Sequence, residues 1–135
     1  MMRENVYAQP VLGPTSMDKL RIELDADNSG IWSVFLHNFL SLLPDRTERL
    51  RTTLTTGDLP GARDAVLSLR MSSQMVGADR LAGLAFDLEQ SLRLDARHSE
   101  PERILPRLAT VYLPLIQQCE RQTIYLLQKY GQGKL

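Results

Sequence analysis

The sequence predicts an all-α fold: an antiparallel four-helix bundle with a short extra helix at its N-terminus. Three observations predict it. No run of period-two alternation is long enough for a strand. Four long stretches carry apolar residues at steps of three and four, each stripe covering about a third of a helix surface. Short turn signals built from Gly, Asp and Pro separate the stretches, and short connections make neighbouring helices antiparallel.

Residues 1–14 read as an irregular lead-in that ends in Gly13-Pro14. Residues 15–130 form the bundle, and residues 131–135 read as a flexible tail. The first helix is short, with a weak capping box at Thr15-x-x-Asp18 and with Leu20 and Leu24 on one face. It lids one end of the bundle. The second helix runs from Ile31 to about Thr55, with Trp32, Leu36, Phe39, Leu43, Leu50 and Leu54 in helical register. Pro44 inside it removes a donor and clashes with the preceding turn, so a kink or a split is expected there.

Thr56-Gly57-Asp58 stops one helix and starts the next, with Asp58 as N-cap and Pro60 tolerated in the first turn. The third helix runs to about Val76 on Leu59, Ala62, Val66, Leu69, Ser73 and Val76. Gly77 marks a break. Leu81, Leu84, Leu88 and Leu92 line the fourth helix, which ends near Arg97. A capping box, Ser99-x-x-Glu102, precedes the last helix, whose stripe is Leu105, Leu108, Tyr112, Leu115, Cys119, Thr123 and Leu126. Pro106 and Pro114 are expected to bend it or delay its start.

Composition narrows the function. The chain has 135 residues, one domain's length. Its 16 Lys and Arg balance 16 Asp and Glu, which argues against a surface built for nucleic acid or anionic lipid. Apolar residues are 43%, enough for one core, and charged residues are 24%, which argues against disorder of the whole chain. A single cysteine, Cys119, excludes an intramolecular disulfide and a Cys-based zinc site. No stretch reaches the roughly 18 consecutive apolar residues of a membrane span. Residues 1–13 lack the apolar block of a secretory signal, so the expected location is the cytoplasm. No metal and no cofactor is expected: two distant histidines and scattered carboxylates do not make ligand spacing.

One segment carries more than a fold. Phe39, Pro44, Leu50 and Gly57-Asp58 are followed by Leu69, Arg70, Ser72, Ser73, Gly77-Ala78, Leu81, Leu84 and Leu88-Glu89 in one register without a gap. This pattern, about 50 residues long, resembles the histidine-containing phosphotransfer (HPt) domains of two-component phosphorelays. The resemblance implies the same helical bundle. It also implies partners: a response-regulator receiver domain or a histidine kinase.

The chain departs from that pattern at the position that defines the chemistry. The phosphoacceptor position holds Leu67, the usual Lys three residues on is Arg70, and the usual Gly four residues on is Met71. Phosphoryl transfer needs an imidazole nitrogen as nucleophile, and leucine has no lone pair to offer. A small residue one turn later lets a receiver approach, whereas methionine fills that space with a flexible apolar tip.

Helix rotation locates these residues independently of any family. At about 100° per residue, Leu67 points roughly 140° from the centre of the buried stripe, and Met71 about 180° from it. Both are expected in solvent, as an apolar contact patch flanked by Arg63 and Arg70. The expected partner-binding set is therefore Arg63, Leu67, Arg70, Met71 and Gln74, with no catalytic residue.

Other candidates are weaker. His37 falls on the outward face of the second helix, and His98 lies in a turn. Neither has an HPt-like setting. Ser68, Ser72 and Ser73 have no acid–base partner at suitable spacing, and Ser73 is expected to bond back to its own helix. Cys119 reads as a small core hydrophobe. Arg46, Arg49 and Arg51 read as a solvated face beside Asp45 and Glu48. The sequence therefore favours a non-enzymatic binding module that has lost phosphotransfer. A structural module that self-associates through the Leu67/Met71 patch is the alternative. A transfer protein with an unrecognised acceptor ranks last.

Overall fold

Five helices follow one another along the chain: α1 (Pro14–Leu24), α2 (Ile31–Thr55), α3 (Leu59–Val76), α4 (Asp79–Asp95) and α5 (Pro101–Gly131). The computed structural model describes residues 9–25, 27, 30–95 and 100–131. Among the described residues there is no strand. Helices α2 to α5 form a closed ring in which α2 packs on α3, α3 on α4, α4 on α5 and α5 back on α2. The turns between α2, α3 and α4 are only a few residues long, so those neighbours run antiparallel. Helix α1 rests against α2 and α3.

The turn chemistry is local. Asp58 Oδ1 accepts the backbone N–H of Gly61 at 3.1 Å and caps α3. Gly77 closes α3 in the left-handed region, at φ 77°, and its flanking amides return to the carbonyls of Gln74 and Ser73. Gly57 has φ 73°, and a Cβ there would lie 2.9 Å from the Cα of Glu102. A glycine at this point therefore serves both the turn and the close approach of α5.

The predicted stripes of α2, α3 and α4 are all found inside, save that Leu59 is only partly buried. Some details differ from expectation, and others decide between its alternatives. Helix α1 begins at Pro14 with Gly13 at its N-cap and no side-chain cap, so Thr15 falls within the helix rather than in front of it. Proline at the first position needs no amide partner, which sets that start. The residue α1 buries fully is Met17, while Leu20 and Leu24 are partly covered. Helix α2 is continuous through Pro44 and is not split. In its next turn the Thr47 hydroxyl donates to the carbonyls of Leu43 and Pro44. Helix α5 starts at Pro101 without delay and accommodates both inner prolines. Its stripe rotates to Ile116 and Leu127 in place of Leu115 and Leu126, which are half-buried. A 3.6-residue period over so long a helix favours steps of four there. The capping residue Ser99, the expected end of α4 near Arg97, and His98 lie outside the described residues.

Two tethers fix the ends of the bundle. Asp25 Oδ1 accepts the N–H of Trp32 at 3.0 Å and so satisfies a donor at the start of α2, where Gly30 offers no side chain. Ahead of α1, Gly13 donates to Gly77 O at 2.7 Å, and Arg80 donates through its backbone and its Nε to the carbonyls of Pro10 and Gln9.

The core holds one polar cluster. Asp87 on α4 is buried and accepts the Tyr112 hydroxyl of α5 at 2.7 Å, while Ser91 Oγ lies 3.0 Å from the same oxygen. Burial pushes the Tyr112 phenol well above its ordinary value. Its neutral form is thus favoured in the fold. That contribution is full below the unfolded phenol value of about 10 and is lost as pH rises beyond it. Cys119 is buried, and burial raises its thiol too, in keeping with a packing role. Ser73 is fully buried, but its hydroxyl has no partner. The carbonyl four residues back, Leu69 O, already receives the Ser72 hydroxyl at 3.2 Å as well as the helix's own N–H. Ser72, rather than Ser73, makes the return bond.

Tyr112→Phe removes the donor to a buried carboxylate. It should lower the unfolding free energy by about 1–3 kcal/mol, read as a lower urea midpoint with an unchanged slope.

Candidate functional site

The inner face of α3 buries Ala62, Ala65, Val66, Leu69, Ser73 and Val76. Its rotation about its own axis is thereby set, and the opposite face must look outward. Leu67 is 37% exposed and Met71 51% exposed, as the rotation arithmetic requires. Met75 continues the row and is 55% exposed. It was missed in the sequence, although its position four residues after Met71 is the signal that finds it.

Two depressions flank this row. On one side, Arg63, Asp64 and Leu67 of α3 and Glu89 and Arg93 of α4 line a cleft of about 370 Å³. On the other, Phe35, Asn38, Phe39, Leu42 and Arg46 of α2 meet Ser72 and Met75 of α3 around a groove of about 270 Å³. The face is therefore an apolar ridge, Leu67–Met71–Met75, with a charged cleft beside α4 and an apolar groove beside α2.

The expected site residues do not all behave alike. Leu67 and Arg63 meet in the charged cleft. Gln74 is exposed on the following turn. Arg70 does not reach outward as a free docking charge. Its Nε donates to Glu89 Oε1 of α4 at 2.7 Å, with Arg70 23% and Glu89 17% exposed, and its Nη1 donates to Gln74 Oε1 at 3.3 Å. A carboxylate on the neighbouring helix gains more from the guanidinium than solvent does, because both groups are already partly desolvated. The arginines of α2 also divide. Arg51 pairs with Glu48 at 3.3 Å, as a solvated face would, but Arg49 reaches across to Asp64 of α3 at 3.8 Å. Arg46 lines the apolar groove.

Sequence reasoning also missed Arg93. It sits one turn beyond Glu89 on α4, at the spacing that keeps two residues on one helix face. Among the described residues, no imidazole lines the cleft at Leu67, and His37 is exposed on α2. Nor is any group of three or more His, Cys, Asp or Glu disposed to hold a metal ion among those residues, and no described helix is long and apolar enough to cross a membrane. Leucine has no lone pair for attack on phosphorus, and the carboxylates that line the cleft, Asp64 and Glu89, are paired with Arg49 and Arg70. The face presents apolar contact along its ridge and groups of both charges in the cleft.

The ridge and the ion pair should separate in a stability series. Arg70→Ala breaks a half-buried, charge-assisted bond and should cost about 1–2 kcal/mol. Leu67→Ala and Met71→Ala, on the open face, should each stay within about 0.5 kcal/mol of the parent in the same urea titration.

Residues 34–122, well over half of the chain, match the family profile of the Hpt domain. No curated protein and no solved structure matches the chain significantly. With the four-helix ring and the outward face of α3 already in place, that match makes the chain a member of the Hpt domain family, the phosphotransfer carriers of phosphorelay signalling.

Proposed function

We propose that this protein is an Hpt-family signalling module that docks a receiver domain or a histidine kinase without accepting phosphate, and that it works in the cytoplasm. One observation carries the reading. Leu67, at the position the family resemblance assigns to the acceptor histidine, lines a cleft on the outward face of α3 and is itself 37% exposed. A phosphoryl group arriving there meets hydrocarbon and has no lone pair to attack it. The rest of the face is suited to contact. Leu67, Met71 and Met75 supply adaptable apolar area, and Arg63 and Gln74 border it. The simplest consequence is competition with phosphotransfer-competent Hpt proteins for the same receiver.

The direct test incubates the protein with phosphorylated receiver domains and follows the label. The receiver is expected to keep its phosphoryl group, and acid-labile phosphate on this chain would overturn the reading. Leu67→Glu places a charge in the middle of the contact and should weaken receiver binding at least tenfold. Leu67→His combined with Met71→Gly should gain measurable phosphoacceptance. Sedimentation distinguishes the self-association alternative: a stable dimer that Leu67→Glu converts to monomer would favour it.

A further inference from the structure

The methionines of the described residues sit in opposite surroundings. Met17 of α1 is sealed in the core at 1% exposure, whereas Met71 and Met75 of α3 are 51% and 55% exposed. The latter two are one helical turn apart and share one outward face. Met75 also lines the apolar groove with Phe35, Phe39 and Leu42. The remaining sulfur is that of Cys119, which is buried, and its burial raises the thiol so that little reactive thiolate forms. Among the described residues, an oxidant in solvent therefore meets open sulfur only on the face of α3.

We propose that Met71 and Met75 form a reversible oxidation site, and that a peroxide-class oxidant acting there weakens the docking face of this protein. The chemistry stands on exposure alone, while its consequence rests on the docking reading above. A thioether sulfur attacks one oxygen of hydrogen peroxide with a lone pair. The S–O bond forms as the O–O bond breaks, sulfur is oxidised by two electrons and the peroxide is reduced. The departing hydroxide takes the proton of the transferred hydroxyl and leaves as water. The product sulfoxide is polar and chiral where the thioether was apolar and adaptable. A receiver docked on the ridge must then bury the S–O dipole, and a polar group buried without a hydrogen-bond partner opposes the contact. The fold is spared, because neither side chain belongs to the buried core. Sulfoxide reductases, one for each epimer, reverse the step: two thiols become a disulfide and the oxygen leaves as water.

The test treats the full chain with hydrogen peroxide, removes the oxidant with catalase, and follows the sulfurs by tryptic digestion and mass spectrometry. Cleavage after Arg70 and Arg80 releases both methionines on one fragment, apart from Met17 and from Met1 and Met2. That fragment is expected to gain one and then two oxygen atoms at least about tenfold faster than the fragment holding Met17. Equal rates would overturn the site. The urea midpoint of the oxidised chain should match that of the untreated chain, and loss of its cooperative transition would overturn a switch confined to the surface. Treated and untreated chains are then titrated with receiver domains from the same organism that have not met the oxidant. Treatment is expected to weaken binding about tenfold. Incubation with both sulfoxide reductases and a dithiol should return the mass and the affinity together. For Met71→Leu with Met75→Leu, whatever its own starting affinity, treatment should change binding less than about twofold. Receiver affinity that survives full oxidation of the fragment would overturn the switch and leave docking standing. A loss in the leucine variant as large as that of the parent would overturn the assignment to these two residues. If the untreated parent binds no receiver, the docking reading falls, and the switch falls with it.

Discussion

The rotation of α3 about its own axis is the constraint on which the rest of this molecule depends. Six residues, Ala62, Ala65, Val66, Leu69, Ser73 and Val76, are taken into the core along one stripe, and the helix packs against both α2 and α4. A helix held along its whole length on one side has no freedom to turn. The Asp58 cap and the left-handed Gly77 set where it begins and ends. The Arg70–Glu89 pair adds a polar clamp on the α4 side. Given that rotation, Leu67, Met71 and Met75 have nowhere to go but outward, and the character of the face follows from three side chains.

The core that sets this rotation is mostly aliphatic, with its few polar groups placed between helices. Asp87, Ser91 and Tyr112 tie α4 to α5. A carboxylate held there without its hydroxyl donor would leave a buried charge under-satisfied, so the cluster specifies which faces of α4 and α5 meet as well as holding them. The Thr47 hydroxyl lies against Glu120 of α5, whose carboxyl is nonetheless pushed upward by its partial burial. The stretch before α1 and the turn between α3 and α4 are joined through Gly13, Gly77 and Arg80, which brings the N-terminal segment to the end of the ring where α3 stops.

Among the described residues, no imidazole lines the cleft or the groove beside this face. A phosphotransfer centre needs a nucleophile whose lone pair points at phosphorus. The face of α3 has methyl and thioether groups along its ridge, and guanidinium and carboxylate groups in the cleft beside it. The Leu67 side chain itself has no lone pair with which to form a bond to phosphorus. The fold and the family are those of a carrier, and the position that matches the family's acceptor holds leucine.

Much of this was legible in the sequence, for reasons that are local. Helical period follows from spacing along the chain, so the stripes of α2, α3 and α4 and the outward position of Leu67 and Met71 could be computed from numbering alone. Turn chemistry is equally local, and Asp58 and Gly77 act where their residue types imply. The family resemblance, resting on contiguous positions from Phe39 to Glu89, was likewise available. What spacing could not decide is which side chains from different helices meet. Arg70 reads as an outward charge until Glu89 of α4 is brought against it, and Arg49 reads as part of a solvated run until Asp64 of α3 comes within reach. The cleft at Leu67 exists only because α3 and α4 lie side by side, and Arg93 belongs to it for the same reason. Sequence determines what a helix buries through its own period. Only packing between helices determines which charges are spent on one another.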